Sequence, residues 1–402
     1  MTVTDIRPTH FPWFRYSDYT FSLGLSDPDT GAAYLSGHSA SAYEPEEGRI
    51  VVRGGMGEQA ETAYAKVGRI LEAADLDWPD VTSLVEYVTL AGLESYPEAE
   101  EVRRKHFPGI PPTVRTVVVD RLLRPAALVE IEVTAARSSE SLPRGVRGGP
   151  DATVHLPSLL PVDGSGAVVA EGDLAGQYRH CLETAGELLT ALGLGLSDVV
   201  KTVDFATPTT RETYPTAGRV RRDLLGPVYP AAAGILMSRL AVPGALVGLE
   251  VTASRDEPTA VDPGRARYDT LTYSPAVRAG RTLHLSGFAA LDVETQQPIR
   301  PGDVEAQADT IYAAVGEVLA AAGLGPEHLV RTVEYVTPDG LPGYRAVAGV
   351  RQRRLARPYP ASTGIVCAGL LRPELLLEVD PTAVFPAKRR LGVSHERDSP
   401  DG

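Results

Sequence analysis

The sequence predicts an α+β fold built from three tandem copies of one ββαβαββ unit, each a sheet with helices on one face. Two observations carry this. The stretch at residues 81–89 (Val-Thr-Ser-Leu-Val-Glu-Tyr-Val-Thr) recurs at 199–207 and 329–337, at offsets of 118 and 130. Within each copy, period-two apolar patterns alternate with patterns of helical period. The length of 402 residues agrees, being too long for one ordinary core.

The two offsets hold without a gap over the back of each unit. They align Gln59, Gln177 and Gln307, then Tyr96, Tyr214 and Tyr344, then Arg103, Arg221 and Arg351. Pro112, Pro230 and Pro360 follow, then Leu122, Leu240 and Leu370, then Pro125, Pro243 and Pro373. The units run over 14–137, 150–256 and 266–386. Residues 138–149 and 256–265 read as exposed linkers and 387–402 as a flexible polar tail. The second unit is shorter at its front and is expected to lack a front strand.

The third unit shows the elements in order. Residues 282–287 alternate as a strand. Asp303 is placed to cap a helix carrying Ile311, Val315, Val318 and Leu319 at helical spacing, and Gly323 ends it. A strand over 329–337, a helix over 344–355, and strands over 361–368 and 374–384 complete the unit.

Composition excludes several classes. Hydrophobic residues make 43% and charged residues 23%, which suits a packed chain. The net charge of −13 argues against non-specific binding to nucleic acid or an anionic membrane. No apolar run nears the roughly 18 residues of a membrane span, and residues 1–10 lack a signal-peptide pattern, so a cytoplasmic location is expected. Cys181 and Cys367 are too few for a disulfide scaffold, and Cys367 reads as a buried, inert thiol. The eight histidines form no HExxH or CxxC pattern, and Gly54-Gly55-Met56-Gly57 is not a dinucleotide fingerprint. No cofactor and no metal are expected.

Short motifs of the third unit resemble the RidA/YjgF family of small trimeric proteins. Tyr273-Ser274-Pro275-Ala276-Val277-Arg278-Ala279-Gly280 looks like its opening strand and Leu285-Ser286-Gly287 like its Ser-Gly turn. Asp303-Val304-Glu305-Ala306-Gln307 resembles its first-helix start. Tyr359-Pro360-Ala361-Ser362-Thr363 stands where the family has Pro-Ala-Arg-Ser. The resemblance implies a chorismate-mutase-like fold, with the three units forming an intramolecular pseudo-trimer around a central β-barrel and a ligand cleft at each interface. Such tandem architecture also looks like that of the chorismatases.

The family's deaminases hold a substrate carboxylate with the signature arginine. That position is Val114, Ala232 and Ser362 here. Arg115 lies one residue along and, in a strand, points to the opposite face. The family's last-strand glutamate corresponds to Glu130, Gly248 and Glu378, with Glu132, Glu250 and Asp380 two residues on. Closely spaced buried acids have raised pKa values, which suits proton transfer. Glu378 and Glu130 are therefore the catalytic candidates, and Gly248 makes the three clefts unequal. Ser362, Tyr273, Tyr359, Tyr229, Gly287 and His38 are the candidate substrate-binding residues. The tyrosines would stack on a flat ligand; core packing is the alternative for them. His155 and His284 read as structural, and Arg103, Arg221 and Arg351 as a solvated or inter-unit salt-bridging face.

With the arginine replaced, the clefts are expected to be roomier and less cationic, favouring a larger, flatter ligand than an imino acid. The expected function is cofactor-independent acid–base cyclisation, isomerisation or water addition/elimination on a reactive conjugated intermediate of secondary metabolism. An imine/enamine deaminase, a chorismatase-like enzyme and a non-catalytic binder are the alternatives. A small molecule is the expected partner, with the chain a monomeric pseudo-trimer or a homodimer.

Overall fold

The computed structural model describes residues 3–9, 11, 14, 17–109, 112–137 and 152–387. The linker at 138–149 and all of the tail but Ala387 lie outside the described residues. Each unit is an α+β layer. Its central strand (Val81–Thr89, Val199–Ala206 or Leu329–Val336) runs antiparallel to a closing strand (Val129–Ala136, Val247–Ser254 or Leu377–Val384). On its other side it runs parallel to the signature strand (Thr113–Val119, Ala231–Leu236 or Ala361–Val366). Helices α1 (Met56–Ala73), α2 (Tyr96–His106), α3 (Leu174–Thr190), α4 (Pro215–Leu224), α5 (Val304–Ala321) and α6 (Val347–Arg354) pair off, two to a unit.

The helices form where the spacing placed them. Asp303 accepts a bond from the Ala306 N–H at 3.0 Å, capping α5, and Ile311, Val315, Val318 and Leu319 are buried. Gly323 follows the helix at φ 73°, a left-handed conformation that glycine takes without strain. The second helix of this unit starts later than expected. Residues Leu341–Ala346, opened by Pro342 and Gly343, make a 3-10 turn first. The opening strand also begins later, at Ala276, which leaves Tyr273 in the segment before Pro275.

Each central strand carries one acid toward the helices, and it is buried. Glu86 accepts from Tyr64, Tyr96 and Arg103; Asp204 from Tyr178, Tyr214 and Arg221; Glu334 from Tyr312, Tyr344 and Arg351. The recurring arginines are thus no solvated or inter-unit salt-bridging face. They are paired inside their own unit, because a carboxylate in this position is tolerable only when charge and hydrogen bonds compensate it. Tyr178 comes from one helical turn before the repeat-equivalent Leu182, in the unit that has the shorter aspartate. The recurring glutamines work similarly: each bonds the segment leading into its closing strand, as Gln307 does to Leu376 N and Glu374 O.

The strand ladders form three separate larger sheets, of seven, five and eight strands. Two are extended by a loan: Arg121–Leu122 joins the third unit's signature strand, and Gly369–Leu370 joins the second unit's. No third loan, from Arg239 and Leu240 to the first unit, occurs among the described residues; Leu240 instead lines a small cavity of about 20 Å³ against Val117 and Val118. The expected central barrel therefore does not close as one hydrogen-bonded sheet. The second unit has a single front strand, Thr153–His155, paired directly with its closing strand. The segment expected to be a plain linker contains a strand, Thr259–Val261, which extends the third unit's sheet.

Charge links the units. Arg115 of the first meets Glu250 of the second at 2.8 Å; Lys201 of the second meets Asp380 of the third; Arg331 of the third meets Glu132 of the first at 2.5 Å. Lys201 and Arg331 are repeat-equivalent, and each follows a bulge at the same place in its ladder. The first unit has Ser83 there. Arg115 reaches across from the neighbouring strand, bonds Ser83 Oγ at 2.8 Å, and supplies the missing cation.

Breaking a buried pair strands its partner. Arg331→Met is expected to cost about 3–5 kcal/mol of unfolding free energy, measured in urea, and adding Glu132→Leu is expected to restore most of it.

Candidate active seams

Where the third unit's signature strand meets the first unit's front, the backbone is pinned at successive points. Ser22 N–H donates to Pro360 O at 3.1 Å, and Ser362 N–H to Ser36 Oγ at 2.8 Å. Gly37 N–H donates to Thr363 Oγ1 at 2.9 Å. The seam between the second and third units repeats this. Ser274 N–H donates to Pro230 O at 3.0 Å, Ala232 N–H to Ser286 Oγ at 2.9 Å, and Gly287 N–H to Ala232 O at 2.9 Å. So the residue replacing the arginine, Ser362 or Ala232, has its backbone held by the serine of a Ser-Gly turn.

Each of these seams contains a glutamate against the turn's glycine. A methyl group on Gly37 would overlap the Glu130 carboxylate and approach Thr363 Cγ2 to 2.7 Å; on Gly287 it would overlap the Glu378 carboxylate and approach Ala233 Cβ to 2.8 Å. Only a residue without a Cβ lets the carboxyl sit there. The expected extra room is thus not found beside the glutamates, because the neighbouring unit's strand closes to within side-chain contact.

Enclosure sets the protonation state. Burial, with Glu132 adding like charge, pushes Glu130 up to about 8, against a smaller pull from Lys66. Burial likewise pushes Glu378 up to about 8; the Gly234 N–H, 3.4 Å from Oε1, works the other way. Both are carboxylic acids near neutrality, able to give a proton and, once ionised, to take one back. Glu378 is buried, whereas Glu130 keeps part of its surface open to solvent.

The third seam differs at every one of these points. Gly248 replaces the glutamate, Ser158 stands at the turn-glycine position and bonds Thr116 N–H at 3.1 Å, and Leu160 lies over Gly248. It has apolar contacts and no acid where its counterparts have one.

The other expected site residues divide. Tyr273 lies close enough to Glu378 for that carboxyl, after burial, to raise its phenol pKa. Tyr229 packs on the second unit's core, and its carbonyl accepts from Ser274 Oγ at 2.6 Å. Tyr359 is buried with the Arg357 guanidinium 4.6 Å from its ring centre, so that face is taken. Val114 packs on the first unit's core. His38 does not join Glu130. It pairs with Ile131, whose side chain faces the helices, while Glu130 pairs with Ser39. Burial beside Lys66 pushes the His38 imidazole down to about 3, so it stays neutral.

Lys66 is a site residue the sequence reading missed. Its Nζ donates to Ser39 O at 2.7 Å and to Ser41 O, and burial lowers its pKa to about 8. Its repeat-equivalents are Thr184 and Ala314, so the repeat carried no signal. The available clue was its rarity, as one of four lysines in the chain. Thr363, which bonds both Gly37 and Glu132, was also missed.

A raised carboxyl pKa means that the folded chain holds a proton the unfolded chain releases above about pH 4.5. That contribution is full below 4.5 and is lost as pH rises through about 8. Gln stays uncharged at every pH and suffers no such loss, so Glu378→Gln is expected to gain stability relative to the parent between pH 5 and pH 8.5, read from urea midpoints.

The family described as Endoribonuclease L-PSP has a model that matches residues 21–137, 149–255 and 265–385. A RutC family protein of Synechocystis is 29% identical over 114 residues, covering 28% of this chain and 86% of its own. Protein DfrA of Myxococcus xanthus is 35% identical over 114 residues, 28% of this chain and 84% of its own. Among solved structures, a chorismatase shares the fold with a TM-score of 0.52 at 16% identity, over 76% of this chain and 93% of that one.

Proposed function

The chain belongs to the endoribonuclease L-PSP family, the RidA/YjgF proteins, in three tandem copies, and from that premise we propose a cofactor-independent acid–base enzyme working at two of its three seams. The observation that carries this reading is the pairing of a raised glutamic acid with a turn glycine at the first–third and second–third seams, and the lack of both at the other. A seam kept only for packing has no need of a glutamic acid whose pKa lies near 8.

The ligand class follows from what surrounds the acid. Without the signature arginine, and with Arg115, Lys201 and Arg331 held in ion pairs, an anionic imino acid has little to bind to. A conjugated, flat, weakly charged substrate suits that charge balance better, of the kind found in secondary metabolism. The carboxylate form removes a proton beside a carbonyl, and the acid so formed returns it at the far end of the conjugated system. The same exchange supports cyclisation, isomerisation, or addition and loss of water. Glu378 and Glu130 are the acid–base groups. Glu130 is the more accessible; Lys66 holds the turn beside it.

Isomerisation of 3-cyclohexen-1-one to its conjugated isomer, followed by ultraviolet absorbance, tests the proton-transfer step. The wild type is expected to accelerate it, and Glu378→Gln with Glu130→Gln to lose about 100-fold or more. An undiminished double variant removes the assignment. Acceleration of 2-aminoacrylate hydrolysis instead selects a deaminase, and ligand-induced thermal shifts without turnover a binder.

The reading takes the three units as one working assembly, a pseudo-trimer in a single chain. Light scattering is expected to give the mass of one chain or of two; a mass of three contradicts it.

A further inference from the structure

We propose that Thr363 is a positioning residue for Glu130: it takes up the Gly37 amide that would otherwise turn to the Glu130 carboxylate, and it ties that turn to the Arg331–Glu132 ion pair. The proposal rests on the reading of Glu130 as an acid–base group.

The contacts cross the first–third seam back and forth. Arg331 of the third unit holds Glu132 of the first through Nε and Nη2. Glu132 Oε2 accepts from the hydroxyl of Thr363, in the third unit again. A hydroxyl has one proton, and with it given to Glu132 the oxygen meets its other neighbour as an acceptor. That neighbour is the Gly37 N–H of the first unit, at 2.9 Å. The position has the same reach elsewhere. Its repeat-equivalent in the first unit is Arg115, which meets Glu250, the equivalent of Glu132.

Glu130 lies against the same glycine. A Cβ on Gly37 would overlap its carboxylate and stand 2.7 Å from Thr363 Cγ2, so acid, turn amide and threonine meet at one residue. An N–H that donates to a carboxylate favours the ionised form, and an amide fixed on Thr363 does not do so. The second–third seam reaches this end by another route. Gly287 N–H donates to Ala232 O, and Ala233 stands at the place of Thr363. In both seams the turn amide beside the acid is thus already engaged, by a side chain in one and by backbone in the other.

The other groups around Glu130 are few. Glu132 on its own strand and Lys66 on α1 are the charges acting on it. Tyr87 pairs beside it on the central strand, and the front strand His38–Ser39 brings a neutral imidazole. The third unit's signature strand, Ala-Ser-Thr-Gly-Ile-Val, carries no charge.

The test reads the protonation of Glu130 without turnover. In a Glu378→Gln chain, the stability that a further Glu130→Gln confers is measured from urea midpoints between about pH 4 and about pH 10. The gain starts near 4.5, where the unfolded carboxyl ionises, and levels off where the folded one does, at about 8. In Thr363→Val, which keeps the shape without the hydroxyl, levelling is expected about one pH unit or more lower. Thr363→Ser is expected to restore it. An unchanged levelling pH in Thr363→Val, or a Thr363→Ser chain as low as Thr363→Val, overturns the proposal. If Thr363→Val does not fold, Thr363→Ala, the second unit's residue at this place, decides by the same criterion. Turnover of 3-cyclohexen-1-one judges the acid–base reading by itself. An inactive chain that shows the shift still supports the placement of Glu130 by Thr363, and an active chain without the shift overturns the role of Thr363 alone.

Discussion

Three buried ion pairs, each joining a cation of one unit to a carboxylate of the next, fix how the units face one another. Arg115–Glu250, Lys201–Asp380 and Arg331–Glu132 run from first to second, second to third and third to first. Packing alone tolerates small sliding between sheets. A buried charge does not, because a displaced partner leaves it uncompensated. With the pairs in place, each signature strand is set at a fixed height against the adjoining front. That height is what lets Ser36 and Ser286 receive the Ser362 and Ala232 amides, and brings Gly37 and Gly287 onto Glu130 and Glu378.

The seams show what such fixing permits. A carboxyl tucked against a glycine Cα is dry on that side and stays protonated near neutrality. The same strand position can be emptied, as at Gly248, without loss of the assembly, because the ion pair two residues along still holds. The structural charge and the proposed acid–base group thus fall on different residues of one strand. The i position carries the acid or nothing, and i+2 always carries a charge.

The fold was largely legible in the sequence, and the site less so. The threefold register at Gln307, Tyr344 and Arg351 announced the units because those side chains do the same structural work in each copy. The inward pairing of Arg103, Arg221 and Arg351 was not legible, since a basic residue on a short helix looks the same whether it meets water or a hidden carboxylate. Glu130 and Glu378 were named because they stand where the resembled family has its last-strand glutamate, and their raised pKa was expected from burial among nearby acids. Lys66 escaped because it occurs in one copy alone. His38 was misplaced because a two-residue strand offers no alternation to read. Arg115 was correctly placed on the opposite face from the signature position, but its partner comes from another unit, and nothing local to either residue reveals that.

The position of that arginine has a consequence for how the chain evolves. The second and third units carry their cation on the central strand, while the first carries it on the signature strand and has Ser83 where the others have lysine or arginine. The three copies have therefore ceased to be interchangeable parts. A chain rebuilt by exchanging units, or two chains trading them, would have to preserve which unit supplies the cation and which the carboxylate in each pair. Exchange of one unit for another is opposed by these interactions.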